Sequence, residues 1–522
     1  MKFPLPFYFR FFFFSLLLIA GLCVFKDYGV HTDEYFNQSI GEEALRYVLA
    51  SPFIHAVAPL KSESSVQTHG AIVEMSLKFV QRVFKVRDTR EVLLLRHFCC
   101  FLLFLMGVYF FWSLCEHYFN SWKMGLLGSL FLAASPRIFA NAFYDTYDIP
   151  LLSFYIISIY TLLRWLRRKT FINAFLHALS CAILFDTRAI GLVMPLFTSL
   201  IFLIDTLNSF PIQQRIKIFR QFLLYLCLLS ALIVIGWPLL WSNPLMHFLE
   251  VIKGNVGYRF PFGTTILFMG RDLMQYRLPW YYVPVWILIT TPVIYSLYFL
   301  VGVYFSVILL FSRQLFIKKR GVVLFLLCFL TPQLLAQGKL YDTWRHLFFI
   351  YPAFLMISLI GLSALWEKIK NHFSRPTNLI LQGLLILVTA GNLCGVLGFM
   401  VKYHPFQFVY FNRLAGKDMQ EIKKRYILDY WGLPYKQALE DILKKDTEKI
   451  IPICPGDEIS EFISNNINIL QEQDRRRFQL TDIDNAKYLI TNYIWHPKEY
   501  PYPLYDAIKI GNANILGLYK LK

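Results

Sequence analysis

Stretches of about 20 consecutive apolar residues recur along this chain, and they constrain its fold more than any other feature. The first is "FYFRFFFFSLLLIAGLCVF" over 7–25. Others follow at about 92–115, 123–140, 149–166, 171–186, 188–205, 221–241, 284–311, 321–337, 347–365 and 379–401. In lipid such a segment has to satisfy its own backbone hydrogen bonds, which a helix does. The reading is an all-α polytopic membrane protein of about 11 transmembrane helices, each needing ~20 apolar residues. Composition agrees, with 56% hydrophobic residues, 16% charged and 50 Phe among 522. The first run lacks a small-x-small cleavage site, and Leu22 stands before Cys23 where a lipoprotein signal needs a small residue. It therefore reads as a retained helix.

A net charge of +18 would suggest nucleic acid in a soluble chain. Here the basic residues sit in short loops between apolar runs: "RWLRRKT" (164–170), "QQRIKIFR" (213–220), "SRQLFIKKRG" (312–321) and "WEKIKNHFSR" (366–375). Basic loops beside spans mark the cytoplasmic side. The charge thus orients the protein, N-terminus inside and C-terminal tail outside, and leaves nucleic acid without a role. Of nine Cys only Cys454 lies well away from an apolar run, which argues against a disulfide framework, and no Cys-x-x-Cys pair offers a metal site.

The transmembrane part covers 1–401. Its first outer loop, 26–91, carries Phe36, Ile40, Ala44 and Val48, then Val73, Leu77, Val80 and Phe84, at helical spacing. Both patterns suit helices lying in the interface plane. After 401 the composition changes to that of a small extracytoplasmic α/β domain, 402–522. It should hold a helix within 429–445 with Pro434 at its start, strands in 449–454 and 486–493, and a hairpin over 507–521 with Gly-Asn at its turn.

Charged groups at mid-span mark transport pathways. Mid-span positions here are almost free of them; His177 is the main exception and reads as a satisfied interior histidine. The ionisable residues gather at the outer ends of spans and in outer loops: Asp33 and Glu34; His69; Arg96 and His97; Arg137; Asp145 and Asp148; Asp186 and Arg188; Arg271 and Asp272; Lys339; Asp342, Arg345 and His346. Carboxylates and cations on one membrane face suit an interfacial active site better than a channel. Transfer of a sugar from a polyprenyl phosphate needs such a set. The acceptor hydroxyl needs a general base, usually a carboxylate, and the departing phosphate needs Arg, Lys or His donors at headgroup level. No nucleotide is required, and a divalent metal is optional because fixed cations can supply the charge.

The motifs "FKDYGVHTDEYFN", "RHFCCFLLFLMGVYFFW" (96–112), "SPRIFANAFYDTYDIP" (135–150), "WPLLWSNP" (237–244), "LPWYYVPVWILITTP" (278–292), "YDTWRHLFFIYP" (341–352) and "DYWGLPYK" (429–436) resemble, in order and topology, a bacterial branch of the GT-C glycosyltransferases. That superfamily includes the protein O-mannosyltransferases and the aminoarabinose transferase of lipid A. The resemblance implies an inverting transferase of the bacterial inner membrane with a polyprenyl-phosphate sugar as donor. Its acceptor would be an extracytoplasmic glycan, lipid or protein.

Residue by residue, Asp33 matches the family's loop aspartate and is the expected base. Glu34 could orient it, bind acceptor or take the base role itself. Asp145 and Asp148 match a second acidic loop, although Tyr147 stands where a basic residue often precedes the second aspartate. Arg345, with His346 beside it, is the expected phosphate contact, and Arg137 and Arg271 are further phosphate candidates. Each has a plainer reading: Thr32 or Asp33 as a helix N-cap, the Asp145 loop as a turn ahead of Pro150, and Arg345 as a snorkelling arginine paired with Asp342. Trp280, Tyr281, Tyr282, Trp286 and Trp344 read as interface aromatics. A flippase for lipid-linked oligosaccharides would need internal repeats and midplane polar groups. A non-catalytic scaffold would keep the fold without the chemistry.

Overall fold

Each expected apolar run holds a helix, and prolines decide where the runs break. The computed structural model describes residues 5–50, 70–208, 212–257, 265–311, 316–336, 340–341 and 343–522. His69, Lys339 and Asp342 lie outside them. The helices of the apolar part are α1 (Leu5–Val24), α2 (Glu34–Ala50), α3 (Ile72–Val83), α4 (Thr89–Phe119), α5 (Trp122–Ala133), α6 (Pro136–Tyr144), α7 (Asp148–Arg167), α8 (Phe171–Thr187), α9 (Val193–Asn208), α10 (Ile212–Gly236), α11 (Pro244–Gly257), α12 (Tyr282–Thr290), α13 (Val293–Phe311), α14 (Phe316–Leu335), α15 (Tyr351–His372) and α16 (Arg375–Lys402). Eight segments of the described chain are helical, long and apolar enough to cross a membrane. The α5–α6 pair, bent by 70°, makes a ninth if it is one span.

The difference from eleven has physical causes. Pro136 starts a new helix at α6, and the residue before a proline avoids the helical region. Thr291, before Pro292, is accordingly extended (φ −112°, ψ 155°), and it separates α12 from α13. The apolar helix α8 has only 17 residues, and α14 carries Lys318, Lys319 and Arg320 near its start; the break at Pro292 leaves the count unchanged, because α13 is long enough by itself.

Burial sorts the helices into layers. Over an 18-residue apolar stretch of each span, 83% of residues are buried within the protein in the one that includes α15 and 78% in α7, against 6% in α1 and 22% in α16. α7 and α15 are therefore central, while α1 and α16 leave most of their apolar surface to lipid. Capping fixes the ends of α4: Asp88 accepts the Glu91 amide at 3.2 Å, and Asn120 closes the far end at φ 56°.

The loop between α1 and α4 does contain two helices, α2 and α3. Their buried faces include Ile40, Ala44, Val73 and Leu77 as expected, but Phe36 and Phe84 are exposed. The same faces bury Glu34 and Glu74, so part of what they cover is protein. A short antiparallel hairpin, β1 (Thr265–Phe268) with β2 (Arg271–Met274), turns at Met269 and Gly270 and was not evident in the sequence.

Beyond α16 come α17 (Met419–Arg425), α18 (Tyr435–Lys445), β3 (Ile451–Cys454), α19 (Glu461–Asn468), α20 (Glu472–Arg475), β4 (Phe478–Leu480), β5 (Tyr488–Thr491), β6 (Leu504–Ile510) and β7 (Ala513–Lys520). The sheet order is β4-β3-β5-β7-β6. β3 runs parallel to β4 and β5, and β7 runs antiparallel to β5 and β6. The β6–β7 turn is at Gly511 and Asn512, with Gly511 at φ 59°. α18 and α19 pack Leu439, Ile442, Phe462 and Ile463 into the core of this sheet.

Candidate active site

Two buried ion clusters meet at the loop that enters α2. The first is built on α4. Arg96 pairs with Glu34, and at 2.8 Å with Glu74. Glu34 also lies 3.1 Å from the His31 ring and accepts from Gln38 at 3.0 Å. Glu74 accepts from Thr146. Glu34, Glu74, Arg96 and His31 are all 3% exposed or less. Burial opposes the charge of Glu34, but Arg96 and His31 overcome it and hold its carboxyl well below the usual range. For Glu74 burial wins over Arg96, and its pKa is raised. Burial also opposes a charged His31, yet Glu34, Asp33 and Asp145 outweigh it and raise the imidazole above its ordinary value.

The second cluster joins α7, α8 and the turn before α15. Arg345 donates to Asp148 at 3.3 Å and lies 3.7 Å from Asp33. Arg188 pairs with the other Asp148 oxygen. Asp145 caps α7, its Oδ1 accepting the amides of Asp148 at 2.8 Å and Tyr147 at 3.3 Å. Burial first, and then the Asp148 charge, pushes the Asp145 pKa up. Unlike the first cluster, this one opens to solvent: the Asp33 side chain is 48% exposed.

Arg345 is aimed by strained local backbone. Thr343 takes φ 70°, and a 3-10 turn over Arg345–Ile350 feeds α15. Tyr282 donates to the Thr343 carbonyl at 3.1 Å, and Trp344 donates to Thr290 at 3.0 Å. Tyr282, Trp286 and Trp344 are each 1% exposed, so these expected interface aromatics are core that braces the turn, whereas Trp280 is exposed. The Trp431 ring, from the C-terminal domain, covers the Arg345 guanidinium at 4.4 Å and lies 4.8 Å from the His31 ring. A mainly apolar groove of about 290 Å³ is lined by Pro279, Tyr282, Leu330, Leu334 and Leu340, among others. Next along the chain is Tyr341, whose ring is 5.2 Å from Arg345.

The structure thus brings Asp33, Asp148 and Arg345 together, with Asp145 beneath them. Glu34 is a step away, inside the closed cluster. His346 follows Arg345 and packs on Tyr341, 4.4 Å between centroids. Arg137 donates to the Tyr410 carbonyl at 3.1 Å and lies against the Phe411 ring at 4.6 Å. Arg271 sits exposed on β2. His177 is an interior residue within reach of Thr161 at 3.0 Å and Thr198 at 2.8 Å. The sequence reading assigned no role to Glu74, although it falls within the apolar face of α3, where a carboxylate needs a partner. Arg96 and Arg188 stood among the outer polar residues without a role.

Among the described residues no group of three or more His, Cys, Asp or Glu is placed to hold a metal ion. Asp148 is committed through both oxygens to Arg188 and Arg345, and no step below is routed through a metal.

No protein family matches the chain, and no curated protein matches it. Solved structures do align with it. ArnT from Cupriavidus metallidurans, in the apo state, aligns over 97% of both chains with a TM-score of 0.49 and 10% identity. The same protein bound to undecaprenyl phosphate gives the same values. The archaeal oligosaccharyltransferase AglB from Archaeoglobus fulgidus, in complex with an inhibitory peptide and a dolichol-phosphate, aligns over 93% of this chain and 70% of its own, with a TM-score of 0.48 and 10% identity.

Proposed function

We propose that this protein is an integral membrane glycosyltransferase of the bacterial inner membrane. It would move a hexosyl or pentosyl group from a polyprenyl-phosphate carrier to an extracytoplasmic glycan, lipid or protein, with inversion at the anomeric carbon. The observation that carries this reading is the pairing of a half-exposed carboxylate, Asp33, with an arginine, Arg345, anchored on buried Asp148.

Arg345 spans Asp148 and Asp33. A donor phosphate oxygen would take the place of Asp33 on the guanidinium, whose planar fork suits bidentate phosphate binding. Asp33 is then released toward the acceptor. It takes the proton of the acceptor hydroxyl as that oxygen bonds to the anomeric carbon. The bond from that carbon to the phosphate oxygen breaks, and the polyprenyl phosphate leaves with the electron pair. Arg345 and Arg188 stabilise the charge that develops on it, in a site shielded by Trp431, where fixed cations count for more than in water. Asp148 orients both arginines. The apolar groove at Leu340 suits an isoprenoid chain that places its phosphate near Arg345. Glu34 is shut away from any acceptor and holds the loop, which favours Asp33 as the base.

The test is single-turnover release of polyprenyl phosphate from radiolabelled lipid-linked sugars, in membranes containing wild type or Asp33→Asn with acceptor extract supplied. A fall of ~100-fold or more at equal expression is expected, the scale of general-base catalysis. Release unchanged by the substitution would reject Asp33 as the base, and no release from wild type would favour the flippase or scaffold.

A further inference from the structure

The C-terminal domain is more than a cover for this site. Two adjacent asparagines on α19, in the middle of that domain, reach back to the backbone just before Asp33. The Asn466 carboxamide uses both ends on one residue: its oxygen accepts the Val30 amide at 2.9 Å, and its Nδ2 lies 3.0 Å from the Val30 carbonyl. Nδ2 is also within reach of the carbonyls of Gly432 at 3.0 Å and Phe462 at 2.8 Å, so two hydrogens are shared among three acceptors. Asn465 donates to the His31 carbonyl at 3.0 Å and to that of Thr32 at 3.1 Å. Both asparagines are buried, Asn466 entirely.

A second observation shows how tightly the loop is seated. A Cβ added to Gly29 would lie 2.2 Å from the Leu433 carbonyl oxygen and 2.7 Å from Asn466 Oδ1. Only glycine lets the two backbones approach so closely. Upstream, Asp27 is held by His404 at 2.7 Å and Tyr28 by Gln407 at 3.1 Å, both just beyond α16. Residues 27–28 are thus held by the segment that follows α16 and 30–32 by α19, and Asp33 comes next.

We infer that Asn465 and Asn466 are positioning residues for the transfer. They clamp the backbone of Val30–Thr32 so that the Asp33 carboxylate stays opposite Arg345. This rests on the reading of Asp33 as the base. A buried carboxamide that satisfies both the N–H and the C=O of one residue fixes the loop without adding charge near the reacting atoms. A misplacement of about 1 Å at a reacting group costs ~100-fold in rate, so the clamp acts on turnover rather than on donor binding.

The experiment is a double-mutant cycle in the full-length protein. Wild type, Asn465→Ala, Asp33→Asn and the double variant are compared with radiolabelled polyprenyl-phosphate sugars extracted from membranes as donor. Hydrogen–deuterium exchange of the 28–36 peptide is measured in parallel. Asn465→Ala is chosen because Asn466 also supports Gly432 and Phe462, so its loss could unfold the domain. The expected result is a turnover about 10- to 100-fold lower with the donor KM within about 2-fold of wild type, as for a misplaced reacting group. Exchange of the 28–36 peptide rises, and Asn465→Ala has no further effect once Asp33 is Asn. Unchanged turnover in Asn465→Ala beside an inactive Asp33→Asn would overturn the clamp and leave the base assignment standing. Equal rate losses from Asn465→Ala in both backgrounds would mark a purely structural residue and also overturn it. Full activity in Asp33→Asn would remove the base, and the clamp with it.

Discussion

The two ion clusters beside the loop use the same residue types for different ends. In the first, Arg96 is enclosed by Glu34 and Glu74, and no member is more than 3% exposed. In the second, Arg345 and Arg188 share Asp148, and Asp33 stands half in solvent. Adjacent carboxylates, Asp33 and Glu34, are thereby divided between an open and an enclosed setting. Both Glu34 oxygens are taken by His31, Arg96 and Gln38, whereas among the described residues the Asp33 carboxylate has one long ion-pair contact, at 3.7 Å, and stays open to a substrate. Access separates a structural acid from a candidate catalytic one where charge does not.

Breaking the closed cluster should give the largest effect. Arg96→Met leaves Glu34 and Glu74 buried without their shared cation, a loss of about 3–5 kcal/mol for an uncompensated buried charge. Thermal unfolding in detergent should show it as a much lower midpoint, and near wild-type stability would contradict the division of roles. In the open cluster Arg345→Lys keeps the charge but loses the fork. Turnover should fall ~100-fold with little change in the unfolding midpoint. A large drop in stability with turnover per folded molecule preserved would reverse the two assignments.

The pH dependence sharpens the comparison. The pKa of His31 is raised in the folded protein above 6.5. Its contribution to stability is therefore fully present below about 6.5 and is lost as pH rises through the folded value. Glu34 behaves oppositely: its lowered carboxyl contributes above the ordinary 4.5 and loses that contribution as pH falls through the folded value. The unfolding midpoint should thus decline as pH rises above about 6.5, and His31→Gln should flatten that decline. An unchanged slope in the variant would place the titrating group elsewhere. The smallest effect is expected at Arg271, exposed on β2 and outside both clusters. Arg271→Ala should change turnover by less than about 2-fold, as surface substitutions commonly do. A loss comparable to that of Arg345→Lys would bring the hairpin into the site.

Much of the fold was legible because lipid imposes a one-dimensional rule. A run of apolar residues has few options other than a helix, and each expected run contains one. The break at Pro136 depends on neighbouring turns, so the number of spans was less legible than their places. In the C-terminal domain the expected strands and the Gly511-Asn512 turn are present, whereas α19, an eight-residue helix, was not among the expected elements.

The site divided in the same way. Asp33, Asp148 and Arg345 stood out because an ionisable group near a bilayer needs a reason to be there. Local sequence could not show that Glu34 is enclosed, that Arg137 faces the Tyr410 carbonyl, or that Trp431 and Asn465 reach the loop from hundreds of residues away. The sequence by itself determined the apolar spans, the span ends and loops that collect acids and cations, and the residue types available there. Only the tertiary structure decided which acid is buried and which is open, because burial and ion pairing arise from contacts between distant segments. Patterning along the chain records how each residue meets solvent or lipid, not which partner it meets.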